Sequence, residues 1–266
     1  MTPLLQVTDL TVRYGVVTAV DHVSITVPQG TLVGLIGPNG AGKTTMIDAL
    51  TGFTPSTGRI EFGGQELSGT RPHQLPAKGL ARTFQSLELF EDLTVRENLL
   101  VSADPRPWWA VLRDMVAPRA GGASSTVDAA LDAVGLPEVG DRLPSSLSHG
   151  QRKLVAVARA LCSQPKLLLL DEPAAGLDSE ESLELGRQLR RLVASGTTVL
   201  LVDHDMGLVL SVCDDIHVLK EGALLTSGPP SAIRRDPAVI AAYLGEHEPE
   251  ERAAAGSVAV AQEPTP

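Results

Sequence analysis

Gly37-Pro38-Asn39-Gly40-Ala41-Gly42-Lys43-Thr44-Thr45 follows the apolar run Leu32-Val33-Gly34-Leu35-Ile36 and opens Met46-Ile47-Asp48-Ala49-Leu50, a segment patterned as a helix. A glycine-rich loop between a buried strand and a helix is a phosphate cradle. Its glycines let the backbone curl so that successive N–H groups point at phosphate oxygens, and the helix start adds partial positive charge. Lys43 supplies a full positive charge, and the Thr44 hydroxyl is offered to Mg2+. A nucleotide is therefore expected here, which leaves kinases, GTPases, motors and transport ATPases open.

Residues downstream choose among them. Lys166-Leu167-Leu168-Leu169-Leu170-Asp171-Glu172-Pro173 reads as a parallel strand buried on both faces and ending in two carboxylates. Asp171 stands where a Mg2+ ligand is needed, and Glu172, aimed differently one residue on, is the candidate to polarise an attacking water. His204 follows a second apolar run, Thr198-Val199-Leu200-Leu201-Val202, whose end is expected beside that of the Asp171 strand. Ligands collect at such strand ends. A donor there can bond the γ-phosphate and hold water between itself and Glu172, which is positioning more than proton transfer. His22, His73, His217 and His247 show no partner pattern.

Between these motifs stands Leu147-Ser148-His149-Gly150-Gln151, followed by the amphipathic stretch Arg152 to Leu161. Alone, the Ser148 hydroxyl and the free N–H groups behind it would be an ordinary helix cap able to hold an anion. Placed between the phosphate loop and the Asp171 strand, the segment resembles the signature motif of ATP-binding cassette (ABC) ATPases, written LSGGQ in that family. The resemblance runs from about Leu4 to about Gly245, with the motifs in the family's order.

That resemblance implies an α/β fold: a P-loop NTPase (ABC ATPase) core with an N-terminal antiparallel β subdomain and a helical insertion at about 87–161, within a domain spanning 1–245. It implies ATP and Mg2+ as cofactors. Tyr14 matches the aromatic that stacks on adenine, and Gly37, Pro38, Asn39, Gly40, Ala41, Gly42, Lys43, Thr44 and Thr45 hold the phosphates. Gln85, in Arg82-Thr83-Phe84-Gln85, matches the glutamine that reaches the metal, which Thr44 and Asp171 also bind. Asp178, in Ala175-Gly176-Leu177-Asp178, matches the loop that couples two ATP sites; Glu172 and His204 match the catalytic pair. Leu147, Ser148, His149, Gly150 and Gln151 would act in trans on the nucleotide of a second cassette. His149 departs from the family's glycine and reduces the freedom of that turn, while Ser148 and Gly150 remain.

The same resemblance implies partners: a second ABC ATPase subunit, identical or paralogous, two membrane permeases docked at the helical insertion near Gln85, and indirectly an extracytoplasmic solute-binding protein. The expected location is the cytoplasmic face of the cell membrane. Ala81-Arg82-Thr83-Phe84-Gln85, Leu93-Thr94-Val95-Arg96-Glu97-Asn98-Leu99 and the ending Pro237 to Gly245 resemble the ATPases of branched-chain (hydrophobic) amino acid importers, a group that includes urea and short-chain amide systems. The alternative is a soluble ABC ATPase not tied to transport. Such proteins carry paired cassettes or long coiled coils, which do not fit in 266 residues. A small-molecule kinase would have no need of Ser148, Asp178 and His204 together.

Composition agrees. With 43% hydrophobic residues the chain can bury one sizeable core. A formal net charge of -10 and 3% aromatic content argue against a nucleic-acid partner, which a basic surface would attract. Cys162 and Cys213 lie in apolar segments without metal spacing and read as reduced core thiols. No apolar run is long enough to span a membrane, and the N-terminus has no leader-like pattern. Within the insertion, Thr94 to Ser102 reads as a helix with Thr94 capping and Glu97 reaching back, and Val127 to Val134 as another. Trp108 and Trp109 lie in the connection that ends at Gly121-Gly122-Ala123-Ser124-Ser125, and 246–266, rich in Glu, Ala and Pro, reads as a disordered tail.

Overall fold

A computed structural model describes residues 3–83, 89–103 and 122–244. The first half runs β1 (Pro3–Tyr14), β2 (Val17–Pro28), β3 (Leu32–Ile36), α1 (Lys43–Leu50), β4 (Thr57–Phe62), β5 (Gln65–Glu66), α2 (Leu75–Lys78), β6 (Leu80–Arg82) and α3 (Val95–Ala103). The second continues with α4 (Gly122–Ala133), α5 (His149–Leu161), β7 (Leu167–Asp171), α6 (Ser179–Ala194), β8 (Thr198–Val202), α7 (Met206–Val212), β9 (Asp215–Lys220), β10 (Ala223–Gly228), α8 (Pro230–Ile233) and α9 (Pro237–Leu244). Gln85, Trp108, Trp109 and the tail at 246–266 lie outside the described residues.

The strands form an antiparallel sheet in the order β2-β1-β4-β5 and a six-stranded sheet in the order β10-β9-β3-β8-β7-β6. In the second sheet only the β9–β10 pair is antiparallel. The continuous apolar runs of β3, β7 and β8 have a direct cause: both of their faces are covered. Leu32, Ile36, Leu168, Leu170, Val199 and Leu201 pack on the side of the helices α3 to α6. Val33, Leu35, Leu167, Leu169, Leu200 and Val202 face the other way, into a core shared with α1 and the antiparallel sheet. Alternate residues of one strand thus serve two cores.

Register sets the functional edge. Leu35 of β3 and Asp171 of β7 both pair with Val202 of β8, so these strands end level. With neighbouring strands about 4.8 Å apart, the segments after β3, β8 and β7 emerge side by side within roughly 10 Å.

The insertion helices α3, α4 and α5 share Val95, Leu99, Val127, Leu131 and Leu154 with the core that reaches the sheet. Thr94 caps α3 as expected: its N–H donates to Glu97 Oε2 at 2.7 Å, while the Glu97 N–H donates to Thr94 Oγ1 at 3.2 Å. The helix expected at Val127 to Val134 is longer at its start, since the Gly122 to Ser125 segment is helical rather than connecting. Burial of Val127, Ala130 and Leu131 overrides the weak helix preference of glycine and serine there. Among the described residues, no helix is long and apolar enough to cross a membrane.

Candidate functional site

The loop after β3 is tightly built. Gly42 has φ 97, and a Cβ there would lie 2.5 Å from the Ala19 carbonyl oxygen; a side chain at Gly37, φ 154, would run into the carbonyl of Leu219. Only glycine fits either position. Lys43 is 5% exposed and its Nζ donates to the Gly37 carbonyl at 2.7 Å and the Pro38 carbonyl at 3.0 Å. The ammonium is therefore held inside the curl of the loop, while Asn39, Gly40 and Thr44 lie exposed along it. Tyr14, at the end of β1, is 52% exposed, with its hydroxyl 3.3 Å from Thr54 Oγ1, so its ring is accessible for stacking.

At the end of β7, Asp171 is 5% exposed, and its Oδ2 accepts from Arg82 Nη2 at 2.9 Å. Glu172 follows with φ 48, a left-handed backbone rare for a residue with a side chain, and its N–H donates to the Val202 carbonyl at 2.7 Å. The sharp turn separates the directions of the two carboxylates, as their different expected roles require. His204 Nδ1 lies 3.9 Å from Glu172 Oε2 and 3.7 Å from Asp203 Oδ1, near both carboxylates and beyond hydrogen-bond length.

Two further carboxylates hold this edge together. Asp203 is fully buried; its Oδ2 accepts from the Ala174 N–H at 2.9 Å and its Oδ1 from the Asp205 N–H at 3.0 Å. Asp205 caps α7 through the Leu208 N–H and accepts from Ser182 Oγ at 2.8 Å. The loop carrying His204 is thereby tied to the segment running from Glu172 to Asp178, and Asp178 in turn caps α6 by accepting from the Glu181 N–H at 2.9 Å.

The signature segment lies at the start of α5. Ser148 Oγ accepts from the Gln151 N–H at 3.2 Å, and Gln151 Oε1 accepts from the Ser148 N–H at 3.1 Å, a reciprocal capping box. Leu147 is buried beneath it, and Ser148 and His149 are exposed. His149 occupies the first helical position, where no positive φ is needed, so the departure from glycine costs the turn nothing. Glu181 Oε1 accepts from both Ser148 Oγ, at 3.2 Å, and the Gly150 N–H, at 3.1 Å.

The expected residues of the phosphate loop, the β7 end and the His204 loop are thus brought to one edge, while the signature sits at the start of α5 beside α6. Sequence patterns alone do not single out Arg82, Asp203 or Glu181, and Lys153 escaped the reading of the sequence. Lys153 lies on the buried face of α5 with Leu154 and Val157, and burial pulls its ammonium down from the ordinary lysine range, opposed by Asp203 and Glu172. A lysine on an otherwise apolar stripe is the readable signal. His217 is likewise no bystander: its ring bridges Ser227 Oγ at 2.7 Å and the Thr26 carbonyl at 3.1 Å, joining the two sheets.

The donor set suits Mg2+. A carboxylate and a hydroxyl are hard oxygen ligands of the kind that hold this ion together with substrate phosphates. Among the described residues, no cluster of three or more His, Cys, Asp or Glu forms an all-protein metal cage.

Known proteins share this architecture. Residues 20–175 match the ABC transporter family, and residues 223–249 match the branched-chain amino acid ATP-binding cassette transporter family. The chain is 41% identical to the high-affinity branched-chain amino acid transport ATP-binding protein BraF of Pseudomonas aeruginosa, over 92% of this chain and 98% of that one. It is 40% identical to the corresponding LivG protein of Escherichia coli over the same shares. A crystal structure of the ADP conformation of an ATP-binding cassette of an ABC transporter superposes with a TM-score of 0.83 at 30% identity, covering 92% of this chain and all of the other. The chain belongs to the ABC transporter family, as an ATP-binding, ATP-hydrolysing subunit. That membership sets aside a soluble role unconnected with transport.

Proposed function

We propose that this subunit powers import of branched-chain amino acids through separate membrane permeases supplied by an extracytoplasmic solute-binding protein, from the cytoplasmic face of the membrane. The observation that carries the substrate class is the match of residues 223–249 to the branched-chain amino acid cassettes. In this reading Tyr14 stacks on adenine, and the loop from Gly37 to Thr45 wraps the phosphates, with Lys43 already held by the Gly37 and Pro38 carbonyls. Thr44, Asp171 and Gln85 hold Mg2+, which supplies charge neutralisation on the phosphate oxygens.

Glu172 orients and polarises the attacking water, and His204 holds the γ-phosphate side of that water, a division supported by the level strand ends of β7 and β8. Leu147, Ser148, His149, Gly150 and Gln151 complete the site of a second cassette, identical or paralogous, and Asp178 couples the two sites. The deciding experiment reconstitutes the chain in liposomes with its co-purifying permeases and binding protein and measures ATP-driven uptake of radiolabelled leucine, urea and acetamide. Leucine uptake that Glu172→Gln abolishes is expected. Uptake of urea or acetamide instead would overturn the substrate assignment.

A further inference from the structure

Arg82 is a nearly buried charge tied to the helix that follows the phosphate loop. Its side chain is 8% exposed in the edge strand β6, beside the buried Leu80 and Ala81. Nη1 donates to Asp48 Oδ1 at 2.6 Å and to Thr51 Oγ1 at 3.1 Å; Nη2 donates to Asp171 Oδ2 at 2.9 Å. Asp48 and Thr51 belong to α1 and its C-terminal cap, the helix that starts at Lys43 and Thr44. Asp171 ends β7. One guanidinium thus spans the two elements that carry the loop and the carboxylate.

We propose that Arg82 is a positioning residue for the divalent cation that accompanies the nucleotide, its fork fixing the Asp171 carboxylate relative to the helix that begins with Lys43 and Thr44.

The planar fork is well matched to such a role, because its geometry holds two carboxylates in a fixed relative placement, which a single ammonium cannot do. A merely structural role would show as lost stability with an unchanged Mg2+ dependence, since removing one partner of a buried ion pair is strongly destabilising. A carboxylate oriented by a fixed partner is also the usual arrangement around a metal, where loss of the orienting group weakens metal affinity. The proposal rests on Asp171 being a metal ligand, so the test must separate the two.

The full-length chain is used, with ATP affinity measured by calorimetry as Mg2+ is titrated, and again in EDTA. Arg82→Lys keeps the charge and loses the fork. Asp48→Asn removes the charge of the α1 arm at a partly exposed position, leaving an amide oxygen that holds the fork more weakly. Both should raise the Mg2+ concentration needed for tight ATP binding, by about 10- to 100-fold for Arg82→Lys and severalfold for Asp48→Asn, while metal-free ATP affinity and melting temperature move little. If Arg82→Lys does not fold, Asp48→Asn decides. An unchanged Mg2+ dependence in the folded variants overturns the proposal. Asp171→Asn is the reference: if it too leaves the Mg2+ dependence unchanged, the metal-ligand reading of Asp171 falls, whereas a loss in Asp171→Asn alone removes only the role of Arg82.

Discussion

The Glu181 carboxylate accepts the Ser148 hydroxyl at 3.2 Å and, through the same oxygen, the N–H of Gly150 at 3.1 Å. In the proposed two-cassette site, those donors are the ones offered to the partner's phosphate. The approach is close: a Cβ on Gly150 would lie 2.8 Å from Glu181 Oε1. A phosphate arriving from a second cassette must therefore displace this carboxylate, and its negative charge opposes the approach.

Glu181→Ala should consequently favour pairing. In a Glu172→Gln background saturated with Mg-ATP, the protein concentration at which dimers form should fall by about three- to tenfold, the scale of one lost charge-assisted hydrogen bond at a partly exposed site. Ser148→Arg should abolish pairing and hydrolysis while monomer ATP binding persists. Analytical ultracentrifugation reads both. Unchanged dimerisation in Glu181→Ala would mean the carboxylate swings away at no cost.

Glu172→Gln preserves side-chain shape at the left-handed turn and removes the proposed base. ATP binding should be kept and turnover should fall by roughly 100-fold or more. A variant within about threefold of the parent rate would move the general-base role elsewhere. Lys43→Ala should act differently: it removes both the charge and the internal ties to Gly37 and Pro38, so nucleotide affinity itself should drop.

The contrast between these residues shows what the sequence could disclose. The loop at Gly37 to Thr45, the strand ending at Asp171 and the strand before His204 were legible because buried parallel strands write themselves as unbroken apolar runs. The Thr94 and Glu97 cap was legible because its partners sit three residues apart. By contrast, Arg82 meets Asp48 across 34 residues and Asp171 across 89, and Ser148 meets Glu181 across 33. No local pattern encodes such pairs. Strand β6 is only three residues long, and β9 carries the buried His217 in its run, so neither gave a clean period.

His217 makes a pH-dependent contribution. The Thr26 carbonyl can only accept, so Nε2 carries the proton and donates to it, and Nδ1 accepts from the Ser227 hydroxyl in the neutral ring. Burial holds the ring's pKa below the ordinary histidine value. The unfolded chain then binds this proton more readily than the folded one. Stability from the neutral ring is complete above about pH 6.5 and is lost as pH falls through the depressed folded value. Melting temperature followed from pH 7.5 to 5 should decline over the upper part of that range, where few carboxylates titrate, and His217→Gln should flatten that part of the slope. An equal slope in both proteins would remove His217 as its cause.

The thiols test core integrity around both signature and sheet. Cys162 follows α5 and Cys213 follows α7; both are free and buried. Burial raises the Cys162 thiol to about 11 and Cys213 further still. With the thiol raised in this way the thiolate, the reactive form, is scarce, and access is blocked as well. Cys213 Sγ also lies 3.0 Å from where a Cβ on Gly34 would stand, so it is packed against the central strand β3. Neither thiol should react with a disulfide reagent in the native protein except through opening of the surrounding structure, and both should react at once in guanidinium chloride. Adding Mg-ATP should slow the native reaction further if nucleotide binding stabilises the fold, since a ligand that binds only the folded state lowers the population of open forms. A rapid stoichiometric reaction of either thiol in the folded protein would show that the core around α5 or α7 is open on the timescale of the assay.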